Sequence, residues 1–342
     1  MINNWREVLK TCNPPHEGKL DFISKWLVIT RACVFSMTWT SGILALMLAV
    51  LMGKSVDFLA WFIATIGIVI AHVSNNIMND LFDEKGGIDT ENYPRALYAP
   101  HPIIAGWVSR TGLTTAAVVT NLVGLTIAIS LILWKGMPVA YFALAGFVLS
   151  FFYVAPPFRL KHHGFGEPSV LVVWGPLMIG GTYFVTTGEF SWIVILASIP
   201  YGITVMSVLM GKHLDKFEYD APKGVRTLPI VLGYPLAKAV TMSMWLVSYV
   251  LIAALVSGGI LWWGVLLLYL FAIPRLIKVW RMYLGPKPTE PPSEDYFRTW
   301  PLYYVSLSFH YNKMAGGMYM LGLLVSVMIK LAKPEWLSMM KF

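Results

Sequence analysis

Charge and cysteine are both scarce in this chain of 342 residues: 13% of it is charged, and Cys12 and Cys33 are its only cysteines. So little charge beside 57% hydrophobic residues excludes an ordinary soluble protein, and the long apolar runs exclude a single buried core. The two cysteines lack the spacing of a metal site and have no evident disulfide partnership, so they do not reveal the redox compartment. No Gly-rich nucleotide loop, zincin motif or credible Ser-His-Asp arrangement is present, and low-complexity tracts and clear internal repeats are absent. A cleavable signal peptide is not evident either. Met1 to Lys25 is polar and mixed in charge (Arg6, Glu7, Lys10, Glu17, Lys19, Asp21), so the first span is expected to double as the insertion signal.

What is present is a succession of apolar segments, at roughly 26–52, 58–79, 112–134, 137–155, 168–187, 191–211, 235–257, 259–280 and 315–332. Each is near the ~20 residues a bilayer demands, so the expected fold is all-α, a polytopic membrane protein of about nine transmembrane helices. Trp134-Lys-Gly-Met-Pro138 and Ser257-Gly-Gly259 are read as tight hairpin turns. The whole of 1–342 is expected to form one membrane-embedded domain. Residues 1–25 make an N-terminal cytoplasmic segment, and the polar, Pro-rich loop at 281–300 is too short to separate domains.

Lysine and arginine set the orientation. The N-terminal segment and the loops after the second, fourth, sixth and eighth spans hold most of them, from Arg6 through Lys85, Arg159 and Lys223 to Arg298, while the intervening loops hold only Lys54 and Lys135. By the positive-inside rule the N-terminus and long loops face the cytoplasm, which suits a multi-pass protein of the plasma membrane, although Lys330, Lys333 and Lys341 near the C-terminus run mildly against it. The net charge of +8 is thus a topology signal; spread over several loops, it implies no nucleic-acid partner.

Two acidic clusters stand out against this background. If the second span stays helical to about residue 83, Asn76, Asp80 and Asp83 fall at i, i+4 and i+7 on one face. Oxygen-bearing side chains there are costly unless a cation or polar cavity offsets them, and Mg²⁺ with a phosphate-bearing ligand is the natural occupant. After the sixth span, Asp215 and Glu218 share a face at i, i+3 and Asp220 follows, with Lys212, Lys216, Lys223 and Arg226 interleaved. A solvated surface flank explains one such cluster. Two on the same side of the membrane, with cations between them, suit a diphosphate shared between Mg²⁺ ions and basic side chains.

At these residues the chain resembles the UbiA-type intramembrane prenyltransferases over nearly its full length, and most closely the branch that prenylates 1,4-dihydroxy-2-naphthoate on the way to menaquinone. Asn76, Asp80 and Asp83 match the first motif of that family. The branch pattern Asn-Asp-x-x-Asp-x-x-x-Gly-x-Asp is matched by Asn79-Asp80, Asp83, Gly87 and Asp89. Tyr153-Val-Ala-Pro-Pro-Phe-Arg-Leu-Lys161, His163-Gly-Phe-Gly-Glu167, Gly181-Thr-Tyr-Phe and Thr187-Gly-Glu-Phe-Ser-Trp192 follow in order. The resemblance implies a helical bundle around a central cavity, with both acidic motifs at its cytoplasmic mouth and Mg²⁺ holding the diphosphate of a polyprenyl donor. It implies transfer of the isoprenyl group to an aromatic acceptor in lipid quinone biosynthesis. Acceptors such as 4-hydroxybenzoate, homogentisate, a porphyrin or glycerol phosphate remain open, and a cation-coupled transporter is the alternative from another class. The placement of both clusters at helix ends, away from the midplane, speaks against the transporter.

The second motif departs from the branch. Counting back from Gly224 puts Lys216 where its first acid falls, so either one residue is inserted or a lysine replaces a metal ligand. The residues assigned to metal are Asn76, Asp80, Asp83, Asp215, Glu218 and Asp220; those assigned to the diphosphate or substrate are Asn76, Arg31, Arg95, Tyr153, Lys161, Lys212, Lys216 and Lys223. Phe151, Phe152, Tyr153 and Trp174 are candidates to face the allylic cation. His72 is placed on the Asn76 face, and Trp300, Tyr303, Tyr304 and Phe309 are read as an interfacial aromatic belt.

Overall fold

The computed structural model describes residues 1–14 and 20–332, so Glu17, Lys19, Lys333 and Lys341 of the charge pattern lie outside the described residues. Apart from one backbone bridge between His163 and Arg226, regular structure among the described residues is helical. In chain order the principal helices are α1 (Ile2–Thr11), α2 (Phe22–Ile29), α3 (Ala32–Leu51), α4 (Phe58–Lys85), α5 (Arg110–Lys135), α6 (Pro138–Phe152), α7 (Gly166–Thr187), α8 (Trp192–Asp215), α9 (Tyr234–Ser257), α10 (Trp263–Leu270), α11 (Ile273–Leu284) and α12 (Tyr304–Ala332). Seven of these, α3, α4, α5, α7, α8, α9 and α12, are long and apolar enough to cross a membrane. The pair α10 and α11, bent by 49°, is together long and apolar enough for one broken span or a re-entrant loop, and α6 is a shorter apolar helix of 15 residues. Every apolar segment read from the sequence is therefore mainly helical, with breaks inside 26–52 and 259–280.

Local chemistry explains where these helices begin and turn. Asp57 accepts the Ala60 N–H at the head of α4, and Ser109 accepts the Gly112 N–H at the head of α5, each satisfying an orphan donor. The tight turns run through Gly136 (φ 94°) and Gly259 (φ 72°), which occupy left-handed backbone at no Cβ cost. The first apolar run is divided. Arg31 sits at φ 56°, ending α2 and redirecting the chain into α3.

The buried centre is α8, with 72% of its apolar window buried; α5, at 11%, lies on the lipid-facing periphery. α8 packs on α7, α9 and α12. Its contact with α12 depends on Gly211, where a Cβ would stand 2.6 Å from the Tyr304 carbonyl oxygen and 2.8 Å from Ser308 Oγ. That close approach brings the end of α8 against the start of α12, which begins at Tyr304, eleven residues before the apolar run that marks it in the sequence. Tyr303 and Tyr304 are buried against Phe297 and Tyr283, so they belong to the core and not to an interfacial belt.

The N-terminal segment is tied down. Cys12 and Cys33 form a disulfide across Cα atoms 5.3 Å apart, a pairing that the sequence spacing did not disclose because α2 folds the chain back on itself. Glu7 pairs with Arg298 at 2.6 Å, Lys10 with Asp295 at 3.4 Å, and Asn13 donates to the Arg298 carbonyl at 2.9 Å. The segment and the 285–303 loop thus hold one another over the same end of the bundle.

Candidate active site

The helical reading of the first cluster holds: α4 runs to Lys85, and Asn76, Asp80 and Asp83 are all buried on one face. Each has a partner. Arg95 donates Nη2 to Asp80 Oδ2 at 2.8 Å and Nε to Oδ1 at 3.1 Å, and Arg31 pairs with the same Oδ1. Lys161 Nζ reaches both oxygens of Asp83 at 2.6 Å. Asn76 donates to the Thr30 carbonyl at 2.9 Å, next to Arg31. Burying these carboxylates is tolerable only because cations stand against them. Tyr153 is buried nearby, and its carbonyl accepts the Lys161 N–H at 3.0 Å, fixing the start of the Lys161 turn.

The second cluster divides. Asp220, buried at the end of the short helix Phe217–Asp220, accepts a hydrogen bond from the Tyr93 hydroxyl. Burial, and then the Asp220 charge, push that hydroxyl's pKa far above its ordinary value, so Tyr93 stays protonated and donating. Lys216 lies 4.3 Å and Lys223 4.6 Å from the centre of the Tyr93 ring, and Lys223 also donates to the Ile88 carbonyl. His162, beside Lys161, is held neutral by burial and then by that lysine, its pKa lowered to about 4.

Two residues assigned to the metal take other positions. Asp215 accepts the N–H groups of Tyr303, Tyr304 and Val305 at 2.9–3.0 Å and an ion pair from Lys287 at 3.4 Å. It is the N-terminal cap of α12, with Oδ1 held by two backbone N–H groups and Lys287 and Oδ2 by the Val305 N–H. Glu218 is exposed to solvent. The reason is helical phase: at the end of α8, Lys216 turns towards Tyr93, while Asp215 turns towards α12.

Sequence reasoning passed over Asp89 and His101 as site residues. Both are buried, and neither oxygen of Asp89 has a hydrogen-bond partner. His101 Nε2 lies 3.4 Å from Asp89 Oδ2, while its Nδ1 faces the N–H groups of Ile103 and Ile104 at 3.3 and 3.4 Å, which places the proton of the neutral ring on Nε2. Donor atoms of Asp80, Asp89 and His101 all fall within 4.8 Å of one another. The two unpartnered, buried oxygens of Asp89 are donors of the kind Mg²⁺ takes, whereas those of Asp80 are shared with Arg31 and Arg95. The sequence did contain the signal for Asp89, the last position of the motif that begins at Asn79.

The partners of Asp80, Arg31 and Arg95, line a cavity of about 1490 Å³, although the site's carboxylates are not among its lining residues. Arg31, Asn76, Asn79, Arg95 and Lys212 line its charged end, and Ile68, Leu131, Phe142, Leu177 and Val185 line its apolar body. Phe151, Tyr153 and Trp174 also face it; Phe152 is not among its lining residues. His72 lines it too, bonded through Nδ1 to Thr38 Oγ1 at 2.8 Å and edge-on to Trp174.

Comparison with known proteins identifies the family and the fold. The model of the UbiA prenyltransferase family matches residues 36–300. The chain belongs to that family. Among curated relatives, 2-carboxy-1,4-naphthoquinone phytyltransferase of Synechocystis is 29% identical over 182 residues, a match spanning 53% of this chain and 56% of that one. 1,4-Dihydroxy-2-naphthoate octaprenyltransferase of Bacillus subtilis is 24% identical over 240 residues, 68% of this chain and 73% of the relative. The fold is shared with a UbiA homologue from Aeropyrum pernix K1 (TM-score 0.62, 15% identity, 86% of this chain and 98% of the other). It is shared also with a UbiA homologue from Archaeoglobus fulgidus solved with GPP and Mg²⁺ (TM-score 0.52, 13% identity, 86% and 99%).

Proposed function

We propose that this protein is a Mg²⁺-dependent prenyltransferase that moves an isoprenyl group from an allylic polyprenyl diphosphate to an aromatic acceptor, 1,4-dihydroxy-2-naphthoate, in lipid quinone biosynthesis. One observation carries the reading: Arg31, Arg95 and Lys212, the first two paired with the buried Asp80, line a large cavity whose other lining is mostly apolar. Such a cavity has a polar end for a diphosphate and an apolar body for an isoprenoid chain.

In this reading Arg31, Arg95, Lys161, Lys212 and Lys216 bind the diphosphate oxygens, and Lys223 holds the Ile88 carbonyl beside Tyr93. Asp80, Asp83, Asp89 and Asp220 are the oxygen ligands available to Mg²⁺, with Asn76 behind them. Bound there, Mg²⁺ supplies charge neutralisation for the departing diphosphate. The protein's own part is to orient the allylic carbon–oxygen bond, to exclude water from the cation that its breakage leaves, and to offer the faces of Tyr153 and Trp174 to that cation. The ring carbon of the acceptor then forms the new carbon–carbon bond and sheds the group it carried, a proton passed to the diphosphate or a carboxyl lost as carbon dioxide, while the basic residues retain the diphosphate. Asp215 keeps α12 in register and touches neither substrate.

The names of the two curated relatives support a naphthoate acceptor, and the loop charges support a plasma-membrane protein whose single domain opens to the cytoplasm. The test is prenyl transfer by detergent-purified protein given geranylgeranyl diphosphate, Mg²⁺ and a panel of acceptors. Prenylated 1,4-dihydroxy-2-naphthoate, lost on Asp80→Ala and Asp83→Ala, is the expected product. Prenylation of 4-hydroxybenzoate, homogentisate, a porphyrin or glycerol phosphate instead would move the chain to another branch.

A further inference from the structure

Two turns before Asp80 on α4, His72 is buried and lines the cavity. At about 1.5 Å of rise per residue it stands about 12 Å from Asp80 along the helix, away from the basic residues assigned to the diphosphate. Phe35 and Trp174 meet its ring edge-on, with centroids 5.2 and 5.0 Å away, and restrict its plane. Thr38 sets its tautomer. Elsewhere in the spans Thr65, Thr120, Thr186 and Thr241 each donate their hydroxyl to a carbonyl one turn back in their own helix. Thr38 is wholly buried, and its hydroxyl bonds instead to His72 Nδ1 at 2.8 Å. Among the described residues no other acceptor takes that hydroxyl hydrogen, so Thr38 donates and Nδ1 accepts. The ring is thereby neutral, with its proton on Nε2.

That Nε2–H has no hydrogen-bond partner among the described residues. Three residues on, Asn75 also lines the cavity, and its Oδ1 is buried without a partner. A polyprenyl chain, being hydrocarbon, satisfies neither group. An unpaired donor and an unpaired acceptor at i and i+3 of one helix are complementary to a hydroxyl, which accepts one hydrogen bond and donates another. From this pairing we infer that His72 and Asn75 hold a ring hydroxyl of the aromatic acceptor, His72 donating Nε2–H to its oxygen and Asn75 Oδ1 taking its hydrogen. The inference rests on the prenyltransferase reading above and adds the residues that orient its second substrate. Trp174, whose face that reading gives to the allylic cation, touches the His72 ring, so a hydroxyl held there sets the acceptor ring beside the place where the cation forms. An aromatic compound without a hydroxyl leaves both groups unpaired in a dry site, which disfavours it.

The measurement is titration calorimetry on the full chain in detergent, with two ligands: geranyl S-thiolodiphosphate as the donor analogue, and 1,4-dihydroxy-2-naphthoate, or whichever phenolic acceptor the transfer assay identifies, added to the analogue-saturated protein. His72→Phe is expected to weaken acceptor binding about tenfold or more and to leave the affinity for the analogue within about twofold. His72→Gln, whose amide N–H can stand in for Nε2–H, is expected to recover most of the loss. Unchanged acceptor affinity in His72→Phe would overturn the inference; so would an equal loss for both ligands, the mark of a histidine that only supports the fold. Because His72→Phe can fail to fold, Asn75→Ala makes a second arm, expected to weaken the acceptor about threefold or more at the parent's melting temperature. Equal acceptor affinity in the parent and Asn75→Ala would overturn the pairing of the two residues. Binding of the analogue with no binding of any phenolic acceptor would overturn this inference alone, whereas binding of neither ligand would overturn the prenyltransferase reading itself.

Discussion

Lys161 and Asp83 meet at 2.6 Å with both side chains almost wholly buried, so neither can be removed alone without leaving a bare charge in a dry site. Lys161→Met is expected to destabilise the protein by about 3–5 kcal/mol, and Lys161→Met combined with Asp83→Asn to recover most of that loss. Thermal melts of the three variants check it; equal melting of the single and double variants would contradict the pairing. Tyr93→Phe removes the donor to Asp220 and is expected to cost about 1.5–3 kcal/mol, again read as a lowered melting temperature. Legibility at this scale followed sequence distance. Asp80 and Asp83 could be found because helical phase aligns them with Asn76. Tyr93 and Asp220 could not be paired, since 127 residues separate them and no local pattern links a loop tyrosine to a distant carboxylate. Asp89 was visible within a motif, but its freedom from partners is a property of the folded site.

At the scale of elements, Asp215 and Gly211 do one job together: they join the end of α8 to the head of α12. Asp215→Ala deprives three backbone N–H groups of their acceptor, which is expected to cost about 2 kcal/mol or more while leaving affinity for the diphosphate analogue within about twofold. A large loss of analogue affinity at unchanged stability would restore Asp215 to the metal site. Gly211→Val is expected to do worse, because its side chain meets the Tyr304 backbone and not a flexible side chain that can move aside. The long apolar helices were legible because a run of about 20 apolar residues has few other uses. The role of Asp215 was not, because its partners come 88 to 90 residues later and a cap at that distance has no sequence signature. The disulfide escaped for a related reason: the turn at Arg31, in a left-handed conformation, is what brings Cys33 back to Cys12. Reduction of that bond is expected to lower the melting temperature, by the equivalent of about 3 kcal/mol for a loop of this length.

In the proposed reading the whole molecule is a sleeve for an apolar chain with a charged end, in keeping with a cavity of about 1490 Å³. Gly146 on α6 lines that cavity and faces open space. Gly146→Trp is expected to shorten the range of donors accepted, lowering turnover with long polyprenyl diphosphates more than with geranyl diphosphate; equal effects on both would show that the chain lies elsewhere. All-helical architecture and the helical segments were legible from hydropathy alone. The enclosure formed by the N-terminal segment and the 285–303 loop was not, because it rests on pairs such as Glu7 with Arg298 that join the two ends of the sequence. The most direct test of the account is prenyl transfer by the purified protein with an allylic polyprenyl diphosphate, Mg²⁺ and 1,4-dihydroxy-2-naphthoate, beside Asp80→Ala and Asp89→Ala. The account predicts a prenylated naphthoate from the parent and none from either variant. Release of no diphosphate by the parent with any aromatic acceptor would contradict it.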